Sequence, residues 1–175
     1  MTATDDSFLR EMLAVAADWR PEAAPRPVAE IMRDPALAHY VSGWHEDRDA
    51  GFIAGEEQPR GAAWWRCFTA DDPGYGFVSA TTPEVSIGVR AGSRGQGLGT
   101  LLLEALIAEA RQRGLPALSL SVEPENPAAR LYERLGFITV ERLGGAVTMV
   151  LTLARPGSPV RVAVRRQTLQ RAVQR

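Results

Sequence analysis

The chain has 175 residues with a near-balanced net charge, and every one of its twenty basic residues is arginine. That length suits one globular domain with a full core. The composition excludes several classes: without lysine there is no Walker A loop, and a single cysteine allows no internal disulfide framework.

His39 and His45 are the only two histidines and lie six apart, so no metal site is expected. No apolar run is long enough to cross a bilayer, and the polar, acidic stretch Met1 to Asp6 does not read as a signal peptide, so a cytoplasmic protein is expected. Residues 155–175 hold six arginines and no acid, which leaves the first 154 residues with fourteen arginines against 21 acids. An acidic body argues against nucleic-acid binding. Cys67 lies in the apolar stretch Ala62 to Phe68 and reads as a buried strand thiol.

In chain order, Phe8 to Trp19 reads as a helix with apolar Leu9, Leu13 and Ala16–Ala17, Asp6 or Ser7 as cap, and Pro21 as stop. A second helix is predicted over Ala36 to Glu46, entered through Asp34-Pro35. Gly51 to Gly55 and Ala62 to Thr69 read as strands, with a turn around Gln58 to Gly61. Val85 to Val89 is a third strand. Leu98 to Arg113 is the clearest helix, with an apolar stripe of Leu98, Leu102, Ala105 and Leu106 and an i,i+4 pair Glu109–Arg113. Gly114 and Pro116 end it. Leu115 to Val122 is a strand, Asn126-Pro127 opens a short helix ending at Gly136, and Phe137 to Arg142 with Ala146 to Leu153 form a hairpin turned at Gly144-Gly145. The order predicts a mixed α/β sandwich over residues 1–154, followed by a basic tail over 155–175. The tail, opening with Pro156-Gly157-Ser158-Pro159, is expected to be disordered or loosely attached, with an added edge strand through Val160, Val162 and Val164, or a short helix packing on a partner through Leu169, Ala172 and Val173, as the alternatives.

The segment from Glu84 to Gly114 carries most of the chemistry. Gly95, Gly97 and Gly99 alternate just where the long helix begins. A helix N-terminus offers unpaired N–H groups and partial positive charge, and glycines let a phosphate approach them. Arg90 and Arg94 add charge beside the turn. The dinucleotide fingerprint fails, because Thr100 stands where its last glycine belongs. On the glycines alone, a tight turn needing positive φ explains the pattern equally well.

Two separated blocks resolve that choice. Arg94-Gly95-Gln96-Gly97-Leu98-Gly99 resembles the acyl-CoA motif Gln/Arg-x-x-Gly-x-Gly/Ala of the GNAT superfamily of N-acyltransferases. Leu118 to Phe137 resembles that family's second block through Asn126, Ala129, Tyr132, Gly136 and Phe137. The resemblance is strong over residues 84–153 and looser over 7–80. It implies a mixed, mostly antiparallel sheet splayed into a V and flanked by helices, with acetyl-CoA (coenzyme A) in the V. The pantetheine arm would pair with backbone at Ile87, Gly88 and Val89, and the pyrophosphate would sit on amides of Arg94, Gly95, Gln96, Gly97, Leu98, Gly99 and Thr100. Most members open with a strand before the first helix; here that strand looks short or missing.

The implied reaction is direct attack by a primary amine, from a small molecule or a peptide, on the acetyl thioester. The amine must lose a proton, and the leaving sulfur can gain one. Tyr132 is the candidate acid, with core packing as the alternative. Glu84 is the candidate base, with a solvated strand-end charge as the alternative and Glu123 and His45 as weaker bases. Asn126 caps its helix and, by resemblance, also contacts pantetheine. Trp19, Trp44, Trp64, Trp65, Phe52, Tyr75 and Phe77 are available to line an acceptor site, and Asp71 and Asp72 to attract a cation. A non-catalytic acyl-CoA-binding module is the alternative function. No membrane partner is expected, and a homodimer is compatible with the sequence.

Overall fold

The computed structural model describes residues 3–20, 24–55 and 57–153. Its helices are α1 (Ala3–Ala17), α2 (Val28–Ile31), α3 (Pro35–Ala38), α4 (Leu98–Gln112) and α5 (Ala128–Arg134). Its strands are β1 (Ala50–Ala54), β2 (Gly61–Arg66), β3 (Glu84–Val89), β4 (Ala117–Val122), β5 (Ile138–Leu143) and β6 (Ala146–Thr152). They form one six-stranded sheet in the order β1-β2-β3-β4-β6-β5. Every pairing is antiparallel except β3 with β4. Among the described residues no strand precedes α1. The proposed basic tail lies outside the described residues.

Helices cover both faces of the sheet, and β2 shows how the sequence arranges this. All six of its residues are buried. Ala63 and Trp65 point into one core with α4 and α5, while Ala62 and Trp64 point into a second core with α1, Ile31 and Tyr40. Alternate side chains of a strand face opposite ways, so two adjacent tryptophans anchor two layers. Each indole N–H finds a carbonyl, Trp64 on Tyr40 and Trp65 on Arg48, which removes the cost of burying a polar atom.

Most elements fall where the sequence placed them, and the differences have local causes. α1 begins earlier than expected, so Asp6 lies inside it and pairs with Arg10 one turn on instead of capping. The helix expected over 36–46 shrinks to the four residues of α3. Asp34 caps it by accepting from the Ala36 N–H at 3.0 Å. The chain then turns through Gly43, whose φ of 66° no helix accommodates. α4 seats Leu102, Leu103, Leu106, Ile107 and Ala110 against the sheet.

The contact that sets the site is the one between β3 and β4. They share a single register pair, Glu84 with Ser119, and the Ser119 N–H donates to the Pro83 carbonyl. Beyond that pair the two strands part, giving the expected V. On the other edge β3 is paired with β2 along its whole length. The Arg90 N–H donates to the Arg60 carbonyl there, so the even-numbered residues of β3 turn their peptide groups to β2. The odd-numbered ones, Ile87 and Val89, turn theirs into the V.

Gly88 sits between them and has a different constraint. A Cβ at this position would overlap the Met12 carbonyl oxygen of α1 and lie 2.9 Å from the carbonyl carbon. Its missing side chain lets α1 rest on β3. Gly88→Ala is expected to lower unfolding stability by about 1–3 kcal/mol through overpacking; urea denaturation of the two proteins measures it.

Candidate active site

The glycine-rich turn follows β3 directly. A single 3-10 turn over Ala91–Ser93 leads through Gly95 (φ 73°) to Gly97 (φ 80°), which caps α4 in the left-handed conformation. These φ values suit glycine and strain other residues. A Cβ at Gly95 or Gly97 would meet nothing within 4 Å, so their missing side chains face open space. Among the described hydrogen bonds, no backbone N–H from Gly95 to Thr100 donates to the protein; the first helical bond is from the Leu101 N–H to the Gly97 carbonyl. The result is an uncovered run of donors at the positive end of a fifteen-residue helix.

Gly99 has a third role. A Cβ there would lie 3.1 Å from Leu131 Cδ2 and 3.7 Å from Ile87 Cδ1. The first turn of α4 thus meets α5 and β3 at one point. This joins the two separated sequence blocks in space at the mouth of the V. The arginines divide. The Arg94 Nε donates to the Val89 carbonyl at 3.0 Å and its guanidinium stays exposed by the turn. Arg90 makes a two-pronged ion pair with Glu11, both bonds 2.8 Å, so its charge is matched by α1. The Gln96 side chain donates to the Gly92 carbonyl and braces the loop.

Asn126 caps α5. Its Oδ1 accepts from the Ala128 N–H at 2.9 Å and its carbonyl accepts from Ala129. α5 places Tyr132 in the core beside Phe137. Burial pushes the phenol pKa up, so its proton stays on through neutral pH. No hydrogen-bond partner for its hydroxyl occurs among the described residues.

Glu84 lies on the opposite face of the sheet. It is 3% exposed, so a solvated strand-end charge does not describe it. Its Oε1 accepts from the Tyr40 hydroxyl at 2.6 Å and from the Gly76 N–H at 2.8 Å. Its Oε2 is buried without a partner. Burial pushes this carboxyl up to about 7, and the two hydrogen bonds to Oε1 pull the other way without cancelling it. A carboxyl that titrates near neutrality can exchange protons there.

The weaker candidates are engaged elsewhere. Glu123 forms an ion pair with Arg20. His45 lines a cleft of about 280 Å³ with His39, Arg48 and Asp72, beyond the Arg66 end of β2. The Cys67 thiol sits against the Arg48 carbonyl and burial pushes its pKa up, so it is a poor nucleophile. Trp64 and Trp65 are wholly buried and available to no ligand, whereas Tyr75 is exposed next to Glu84's loop. Asp72 Oδ1 accepts from His39 Nδ1 at 2.9 Å, and Asp71 is exposed. Among the described residues no group of His, Cys, Asp or Glu side chains could hold a metal ion.

A split, mostly antiparallel sheet with an open amide cradle at its mouth is the architecture of an acyl-CoA transferase domain. The chain belongs to the Acetyltransferase (GNAT) family, whose profile matches residues 6–137; members of this family draw their acetyl group from acetyl-CoA. It is 33% identical over 140 residues to a mycothiol acetyltransferase from Saccharomonospora viridis, a match covering 78% of this chain and 44% of that protein. The chain therefore spans less than half the length of that relative. A shorter match, 47% identical over 57 residues, is to an L-methionine sulfoximine/L-methionine sulfone acetyltransferase from Pseudomonas paraeruginosa, covering 32% of this chain and 33% of that one. An N-acetyltransferase structure from Staphylococcus aureus Mu50 superposes with a TM-score of 0.65 at 19% identity, covering 88% of this chain and 96% of that chain.

The raised Glu84 pKa has a consequence for stability. Between the ordinary carboxylate value and about 7, the folded protein holds a proton that the unfolded chain has released. Stability must then fall as pH rises through that window, by up to about 3 kcal/mol, and level off above it. Glu84→Gln removes the titration, so the difference between the two proteins, followed by denaturant unfolding from pH 4 to 9, shows that fall and plateau.

Proposed function

We propose that this protein transfers an acetyl group from acetyl-CoA to a primary amine by direct attack. The observation that carries this reading is the run of unpaired amides from Gly95 to Thr100 at the mouth of a sheet split beyond Glu84 and Ser119. Those amides, with Arg94 beside them, would hold the diphosphate of coenzyme A. The peptide groups of Ile87 and the N–H of Val89, turned into the V, would hold the pantetheine. Gly88 contributes by letting α1 support that strand, and Asn126 by fixing the start of α5. Acetyl-CoA, when bound, supplies the acetyl group as an activated thioester.

Glu84 Oε2 takes the proton that the amine must lose, directly or through water. Tyr132 offers its hydroxyl proton from the other face of the sheet. The protonated phenol and the near-neutral carboxyl suit these opposite tasks. The names of the relatives point to small-molecule acceptors, and a small primary amine is the acceptor class we propose to test first, with peptide N-termini second. Among the described residues no helix is long and apolar enough to cross a membrane, and we propose a cytoplasmic setting.

A thiol-release assay with acetyl-CoA and a panel of amines tests the reading. Amine-dependent release supports it; coenzyme A binding without release from any amine would favour the non-catalytic module. Two variants test its parts. Gly97→Asp forces a side chain into the left-handed conformation and puts negative charge in the cradle, so coenzyme A affinity should drop about tenfold or more by calorimetry. Tyr132→Phe should lower kcat by about 100-fold with coenzyme A affinity kept; equal loss of both would make Tyr132 a packing residue only.

A further inference from the structure

Glu84 does not stand alone. The Tyr40 hydroxyl, 44 residues earlier, donates to its Oε1 at 2.6 Å and accepts the Tyr75 N–H at 2.7 Å. The next amide, Gly76 N–H, donates to the same Oε1. Two successive amides of one loop thus converge on one tyrosine–carboxyl pair. Tyr40 is itself fixed. Its ring packs edge-on against Phe68 with centroids 4.9 Å apart and stacks on Tyr75, and its carbonyl receives the Trp64 indole N–H.

Both hydrogen bonds to the carboxyl fall on one of its oxygens, Oε1. Oε2 is left buried and unpartnered, lying so close under Gly74 that a Cβ there would overlap it. A carboxyl whose one oxygen already accepts two hydrogen bonds takes its proton on the other. We propose that Tyr40 is the positioning residue for Glu84: it commits Oε1 to accepting hydrogen bonds and leaves Oε2 as the atom that takes the acceptor amine's proton. This rests on Glu84 being the base.

The other ionisable groups around the carboxyl leave Tyr40 the leading part. Arg66 stands opposite Glu84 in register on β2, but its guanidinium is turned to Asp49 and to the carbonyls of Ser42 and Gly43. β4 brings Ser119, which has no charge. The loop brings Tyr75 through its backbone, and His39, next to Tyr40 in the chain, is bonded to Asp72. Burial and the nearby carboxylate keep the Tyr40 phenol protonated, so it serves as a donor throughout the working range.

The test is a pH titration of protein labelled with 13C at the glutamate carboxyls, with Glu84→Gln identifying the Glu84 resonance. Tyr40→Phe keeps the ring and removes the hydroxyl. It should move the Glu84 midpoint up by about one unit, because the charged form loses a charge-assisted bond. Difluorotyrosine at position 40 keeps the shape and donates more strongly, so it should move the midpoint down, and it guards against a Tyr40→Phe protein that folds poorly. In acetyl-CoA turnover with the best amine of the panel, the acidic limb of kcat/KM should shift with the midpoint while KM for acetyl-CoA stays put. A midpoint unmoved by either change overturns the role of Tyr40. If Glu84→Gln itself leaves rate and limb intact, the base assignment fails instead, and the two failures are told apart.

Discussion

A single register pair holds β3 to β4, and the site depends on how little that is. Strands in a sheet normally satisfy each other's peptide groups along their length. Here β3 is bonded along all of β2 and to β4 only at Glu84 and Ser119. The peptide groups of Ile87 and the N–H of Val89 are left facing a gap, while Arg94 covers the Val89 carbonyl. A ligand with amide groups of its own could complete the edge as a missing strand would. The glycine turn then follows within a few residues, because β3 runs directly into it. The position of the cradle and the direction of the gap are set by the same strand.

The sheet also separates the two candidate proton-transfer groups. Tyr132 belongs to the core shared with α4 and α5, and Glu84 points into the layer of α1 and Tyr40. Burial acts on both and has opposite meanings for them. It keeps the phenol neutral and ready to donate, and it lifts the carboxyl to a range where it can gain and lose a proton. One physical effect on two faces of a sheet would suit the two groups to the two proposed roles. The unpaired Oε2 is the cost of that arrangement, since a carboxyl satisfied on both oxygens would be a poorer base.

The sequence made the local features legible. Regular periodicity marked α4, glycines at 95, 97 and 99 marked the cradle, and Asn126-Pro127 marked the start of α5, because each depends on neighbours within a few residues. What escaped was long-range. Nothing near Glu84 in the chain announces that Tyr40 bonds it, or that it is buried. Arg90 read as a cradle charge because of its position, yet Glu11 lies beside it only once α1 has docked. Gly88 read as part of the cofactor wall, while its bare Cα is required by the Met12 carbonyl. α3 fell short of its expected length because the chain passes into i→i−3 turns at Tyr40 and Val41, before Gly43 turns it left-handed, a change that single-sequence periodicity does not reveal.

The two tryptophans of β2 give the molecule a pair of built-in optical reporters. Each indole is sealed from water and bonded to a carbonyl, one in each layer. Their emission should therefore be that of interior fluorophores, insensitive to aqueous quenchers while the fold is intact. With Trp19 and Trp44 replaced as well, removing Trp64 would leave only the signal of the α4 layer, and removing Trp65 only that of the α1 layer. Comparing the pair would show whether the two helical layers leave the sheet together or one before the other.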